Sequence, residues 1–353
     1  MSPELLHLHI SQLFQTFEKS KINKYADPRK QSYHDKLIEL FDKIRQENIE
    51  KYSYDQQKNL KEVLDFIFYS IEFLDNSTLT NIPHEIVFCL EKALNDWDAT
   101  NSYIIVTSLQ NSINSYSFNP ILVLNPNYYD IIESVFNVKF ENKLIQINLP
   151  RYLVHDYLAN VVLYHELGHF VEMKFQIARR LINTKVSLGE IVTQEEARKA
   201  HHHLSELFAD VFASQYIGSA SNYYLDYIAH KQDSTVTHPS TDTRIQIVNE
   251  FLSGKIKNNS LDEILAATEA TTTYKLKKRF LSINGKDFEE FIPPILNNDE
   301  ELHSIFEVGW NLWKQEVKSY KEKKIGKIDK YLIINNLIEK AISNYMVLEK
   351  WNK

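Results

Sequence analysis

The chain of 353 residues has one cysteine, Cys89, so no disulfide can form within it and no cysteine-rich zinc module can be built. Glycine is scarce as well. Only seven occur, well below the roughly 7% usual in soluble proteins, and none precedes Gly168. Few glycines beside many Leu, Ile, Glu and Lys favour long helices over tight hairpins. No apolar run approaches the roughly 18 residues a membrane helix needs. Ile121-Leu122-Val123-Leu124 and Val161 to Tyr164 are typical maxima, so no membrane insertion is expected. Met1-Ser2-Pro3-Glu4-Leu5-Leu6-His7 has no basic stretch followed by an apolar core, unlike a signal peptide, and the expected location is cytoplasmic. The net charge of -7 offers no electrostatic footprint for nucleic acid.

The pattern along the chain predicts three regions. Residues 1–95 read as helices, with Leu37, Ile38, Leu40, Phe41 and Ile44 at helical spacing, and likewise Leu60, Val63, Leu64, Phe66, Ile67 and Ile71. Asp27-Pro28, Asp75-Asn76-Ser77 and Ile82-Pro83 are expected breaks. After Trp97 come β-rich runs: Tyr103 to Thr107, Ile121 to Leu124 and Val135 to Phe140. Lys143 to Leu149 alternates, and Pro150 stops it, which suits an edge strand whose open side could hold an extended peptide. Residues 255–353 return to helical texture over Leu261 to Leu281, Glu300 to Tyr320 and Ile328 to Trp351, and Trp310 and Trp313 read as core. The expected fold is α+β and predominantly helical. A core over 96–254 with a small sheet is flanked by helical N- and C-terminal regions, through which a regulatory protein partner could act.

Tyr164-His165-Glu166-Leu167-Gly168-His169-Phe170 carries the chemistry. Two His residues four apart project from one helix face, about 40° apart around the axis. Each can offer an imidazole nitrogen to one Zn²⁺, and the Glu between them can take a proton from a metal-activated water. A match to this pattern arises by chance about 0.06 times in a chain of this composition, so its flanks decide. There is no Pro from Tyr157 to Phe175, and Leu158, Val161 and Val162 share the stripe of His165 and His169. Gly168 inside this helix costs roughly 1 kcal/mol relative to Ala, which implies that another backbone or the metal site comes close there.

Two His ligands do not complete a catalytic zinc site. In His201-His202-His203-Leu204-Ser205-Glu206-Leu207-Phe208-Ala209-Asp210-Val211-Phe212-Ala213, the apolar residues make one helical face, with Glu206 and Asp210 together beside it. Carboxylates there are costly unless paired. Glu206 as third zinc ligand and Asp210 as acceptor for the second ring N–H of His165 would pair both. The His201 to His203 run reads as a polar helix start, although His202 lies one turn before Glu206. Thr237-His238-Pro239-Ser240-Thr241-Asp242-Thr243-Arg244 then places His238 before a helix starting at Thr241 or Asp242. His238 and Arg244 could stabilise an oxyanion, or Arg244 could orient an acidic neighbour.

The succession H-E-L-G-H, E-x-x-A-D-x-F-A and T-H-P-S-x-x-x-R-I resembles the zinc metallopeptidases of the CaaX-prenyl-protease and HtpX type, within the gluzincins. The resemblance covers about 95 residues, from roughly Leu153 to Val248. A soluble phage-immunity anti-repressor protease group with a similar H-E-L-G-H and following helix is a neighbour. The resemblance implies a zincin-like core and one zinc per chain on His165, His169 and Glu206, with Glu166 as general base. It also implies Asp210 as the partner of a ligand, His238 as intermediate-stabilising and Arg244 as supporting. Many members span membranes several times, and this chain has no such run. The expected function is zinc-dependent hydrolysis of peptide bonds in a protein or peptide substrate. The alternatives are a catalytically silent zincin-fold binding or regulatory protein and, third, a deformylase-type amidase, which would need a Cys ligand that Cys89, in an apolar helical run, does not resemble.

Overall fold

Asp27-Pro28 begins a helix: the Asp27 carboxylate accepts the Arg29 N–H at 2.8 Å, and Pro28 occupies a first-turn position where no N–H is needed. The computed structural model describes residues 2–25, 27–78, 84–112, 116–124 and 127–351. The break expected at Ile82-Pro83 lies outside them. Helix accounts for 66% of the described residues, and the sheet formed among them has three strands, so the mostly helical α+β expectation holds at that level. None of the described helices is long and apolar enough to cross a membrane.

Two compact units are formed, the first from residues 1–87 and 98–151. It contains α1 (Pro3–Ser20), α2 (Pro28–Gln46), α3 (Tyr54–Asn76), the first residues of α4 (His84–Asn95), β1 (Tyr103–Gln110), β2 (Ser117–Asn119), α5 (Ile121–Leu124), α6 (Asn127–Phe136) and β3 (Lys143–Pro150). The apolar stripes of α2 and α3 meet in one core, where Leu37, Leu40, Phe41, Leu60, Leu64 and Ile67 join Ile104, Val106 and Leu144 from the strands.

β3 is not the edge strand expected from Pro150. It is central, with β1 parallel along its whole length and β2 antiparallel against Asn148 to Gln146. Leu144, Ile145, Gln146 and Ile147 are all buried, so both faces are covered and the alternation had little to report. Pro150 is tolerated because it is the last residue of the strand, where its missing N–H interrupts no interior ladder bond.

Two other expected strands do not form. Asn119, the last residue of β2, accepts the Ile121 N–H through its side chain, so α5 starts where a strand from Ile121 to Leu124 was expected. Val135 and Phe136 close α6, since Ile131, Ile132, Val135 and Phe136 also fit the helical period; Asn137, at φ 48°, then ends it in the left-handed region that Asn tolerates.

The second unit comprises residues 88–97 and 152–353. After the end of α4 it holds α7 (Val162–Phe175), α8 (Ile177–Ser187), α9 (Gln194–Ile217), α10 (Ala220–Ile228), α11 (Thr241–Ser253), α12 (Asn259–Thr271), α13 (Lys286–Glu289), α14 (Asp299–Lys314), α15 (Lys318–Glu322) and α16 (Lys327–Trp351). Trp97, Tyr164, Phe208, Phe212, Tyr216 and Phe306 are fully buried, and the Trp97 and Phe212 rings lie 5.6 Å apart. Trp310 is buried and donates its indole N–H to Leu158 O, in keeping with a core role.

The helix expected over Leu261 to Leu281 stops at Thr271. The β-branched run Thr271-Thr272-Thr273 ends it, with the Thr272 hydroxyl bonded back to Thr268 O, and residues 274–284 continue without helix. The segment expected from Glu300 to Tyr320 divides into α14 and α15. The His201 to His203 run is not a helix start. α9 begins two turns earlier, where Thr193 and Glu196 form a reciprocal capping box.

Candidate metal centre

Three helices of the second unit build the site. α7 contributes His165, Glu166 and His169, α9 contributes Glu206 and Asp210, and α11 contributes Arg244, with His238 in the segment just before it. Gly168 explains how α7 and α9 approach. A Cβ at this position would stand 2.8 Å from the Cα of Ala209, well inside contact distance. The close approach expected at Gly168 is therefore made by the backbone of α9, between Glu206 and Asp210.

That approach brings one donor atom each from His165, His169 and Glu206 within 4.8 Å of one another. The Nε2 atoms of His165 and His169 each lie 3.4 Å from a different oxygen of Glu206. Two imidazole nitrogens and a carboxylate suit a borderline cation such as Zn²⁺. His238 reaches the same carboxylate, with Nε2 at 3.6 Å from Oε1, although its side chain is 55% exposed.

Behind His165, Asp210 Oδ1 stands 2.9 Å from Nδ1. The ring N–H is not aimed along that line, so the contact is strong as charge pairing and imperfect as a directional hydrogen bond. Arg244 holds Asp210 from the other side, donating Nε to Oδ2 at 2.7 Å and Nη2 to Oδ1 at 2.8 Å. Its Nη2 is also 3.3 Å from Glu206 Oε2. Of the two roles open to Arg244, this geometry corresponds to orienting acidic neighbours. Glu166 is buried on α7. Burial opposes charge on Arg244, but Asp210 above all outweighs it and raises its pKa.

The titration behaviour follows from this packing. Burial opposes charge on His165, but the Asp210 and Glu206 carboxylates outweigh it and raise its pKa to about 10. Burial likewise opposes charge on Glu206, yet His165 and His169 hold its carboxyl far below the usual range. Asp210 is lowered despite burial, chiefly by Arg244.

Three partners escaped the sequence reading. Ser205 Oγ lies 3.3 Å from His169 Nδ1 and donates to Glu172 Oε2, also at 3.3 Å. His203 Nε2 is 2.8 Å from Thr235 O, which ties α9 to the turn that carries His238. Within that turn, Thr235 N donates to His238 O, and Thr237 Oγ1 is 2.8 Å from His238 Nδ1. Only the position of Glu172, one turn beyond His169, was a signal in the sequence. α11 starts at Thr241, where Ser240 Oγ accepts the Thr243 N–H. No family model, curated protein or solved structure matches the chain.

Proposed function

We propose that the chain is a zinc-dependent peptidase with His165, His169 and Glu206 as ligands. The observation that carries this reading is the convergence of these three donors beside a buried Glu166, with both imidazoles backed at Nδ1 by polar partners. Bound zinc supplies Lewis-acid activation of water and of a carbonyl group. His165, whose pKa the Asp210 and Glu206 carboxylates raise to about 10, would have to lose its proton to act as a ligand.

The chain's own residues do the rest. Glu166 takes a proton from the attacking water and passes it to the leaving amine. His238, the most exposed imidazole of the group and within 3.6 Å of Glu206, is the donor for the developing oxyanion. Arg244 serves by holding Asp210 and Glu206 in place. The order of the three motifs supports a relationship to the CaaX-prenyl-protease and HtpX-type gluzincins, and to their zincin-like core.

Glu166→Gln tests the reading. The substitution keeps size and shape while removing the base. Zinc content should stay near one per chain, and cleavage of unfolded proteins or short peptide libraries should fall by at least ~10²-fold. Equal cleavage by both proteins would refute the mechanism. Zinc binding with no cleavage by either would favour a catalytically silent zincin-fold binding protein.

A further inference from the structure

We propose that Ser205 and Glu172 form a hydrogen-bonded arm that fixes which nitrogen of His169 is left for a metal, an assignment that rests on the zinc site proposed above. His169 Nδ1 is 3.3 Å from Ser205 Oγ, and the hydroxyl donates to Glu172 Oε2 at the same distance. A carboxylate oxygen only accepts. The one hydroxyl proton is therefore committed to Glu172, and Ser205 presents a lone pair to the imidazole. His169 answers by carrying its proton on Nδ1, which leaves Nε2, 3.4 Å from Glu206 Oε1, free to bind a cation.

Glu172 is fixed in this role from its other end. It is buried, and Oε1 accepts the backbone N–H of Ala178 at 2.9 Å in the first turn of α8. Glu172 sits one turn beyond His169 on α7, and Ser205 directly precedes Glu206 on α9. The arm therefore joins the two ligand-bearing helices at the same level as the ligands. It differs from the arm behind His165, where Asp210 and Arg244 set the arrangement by charge. Behind His169 the contact with the ring is a neutral hydroxyl, whose direction depends entirely on what lies beyond it.

That dependence makes the arm reversible by one atom. In Glu172→Gln the amide oxygen can still accept from Ala178, while the NH₂ group donates to Ser205 Oγ. The hydroxyl proton then turns to His169 Nδ1, the imidazole proton moves to Nε2, and the ligand position is blocked.

The test uses the full chain, with zinc affinity measured by competition against a chelating dye. It is paired with ¹⁵N NMR of the histidine rings and with thermal unfolding. Ser205→Ala and Glu172→Gln should weaken zinc by roughly 10–100-fold, the usual effect of losing such a partner, while Ser205→Thr should stay near wild type. The ring spectra should show His169 protonated at Nδ1 in wild type and at Nε2 in Glu172→Gln, at unchanged unfolding temperature. Wild-type zinc affinity in both weakened variants, with His169 still protonated at Nδ1 in Glu172→Gln, would overturn the arm and leave the zinc site standing. A wild-type chain that takes up no zinc would overturn the site reading instead, and the ring spectra would still decide the arm.

Discussion

Arg244 grips Asp210 with two parallel hydrogen bonds, Nε to Oδ2 at 2.7 Å and Nη2 to Oδ1 at 2.8 Å, and both side chains are almost wholly buried. Breaking such a pair from one side strands a charge in the interior, at about 3–5 kcal/mol. Arg244→Met should therefore destabilise the protein by about that amount in urea unfolding. Arg244→Lys should recover only part, because an ammonium cannot match both carboxylate oxygens. Pairing Arg244→Met with Asp210→Asn should restore some of the loss. A single-variant cost below about 1 kcal/mol would show that the pair does not hold the site together.

Metal and stability are linked if the ligands are assigned correctly. A ligand that binds only the folded state adds about 2.7 kcal/mol at a hundredfold excess over its dissociation constant. For a unit of this size that corresponds to a rise of roughly 5–10 °C in unfolding temperature. Zinc should produce this shift in the wild type, a chelator should reverse it, and His165→Ala should show little of it. An equal shift in His165→Ala would reject the ligand set.

His303 gives the fold a pH dependence of its own. It is buried on α14, where its Nδ1 is 2.9 Å from the Tyr164 hydroxyl, and burial pushes its pKa down to about 3. Unfolded, the same ring titrates near 6.5. Between these values the unfolded state binds the extra proton, so stability is full above about pH 6.5 and falls as pH drops toward 3. By pH 5.5 the loss should be about 1.4 kcal/mol. His303→Gln keeps an acceptor for Tyr164 without the titration. The stability gap between wild type and this variant should therefore narrow by that amount from pH 7.5 to 5.5. A gap independent of pH would show that the ring is not held neutral by burial.

The donor set was readable in advance because its spacing is a property of single helices. His165 and His169 share a face of α7, and Glu206 and Asp210 share a face of α9, whatever the rest of the chain does. The partners Ser205, Glu172 and His203 were not readable, since each contact depends on how two separate segments meet. The sheet was misjudged for a related reason. β3 is buried on both faces, so its alternating pattern carried little information about its neighbours. The short apolar run Ile121 to Leu124 fits a strand and a helix equally, and a side-chain cap from Asn119 settled the matter.

The contact of Gly168 with Ala209 has a consequence for how this chain can vary. Most core positions tolerate enlargement if a neighbour shrinks to match. Here the obstacle to a methyl group at 168 is the Cα of Ala209, at 2.8 Å, as well as its Cβ at 3.2 Å. Trimming residue 209 to glycine would remove the second clash and leave the first. No exchange of side chains can make room for Gly168→Ala; the two helices would have to separate, and the donors of α7 would move away from Glu206 with them. The roughly 1 kcal/mol gained in helix propensity is small beside an overpacking cost of about 1–3 kcal/mol. An alanine at 168 therefore requires the backbones of α7 and α9 to part, whichever residue stands at 209.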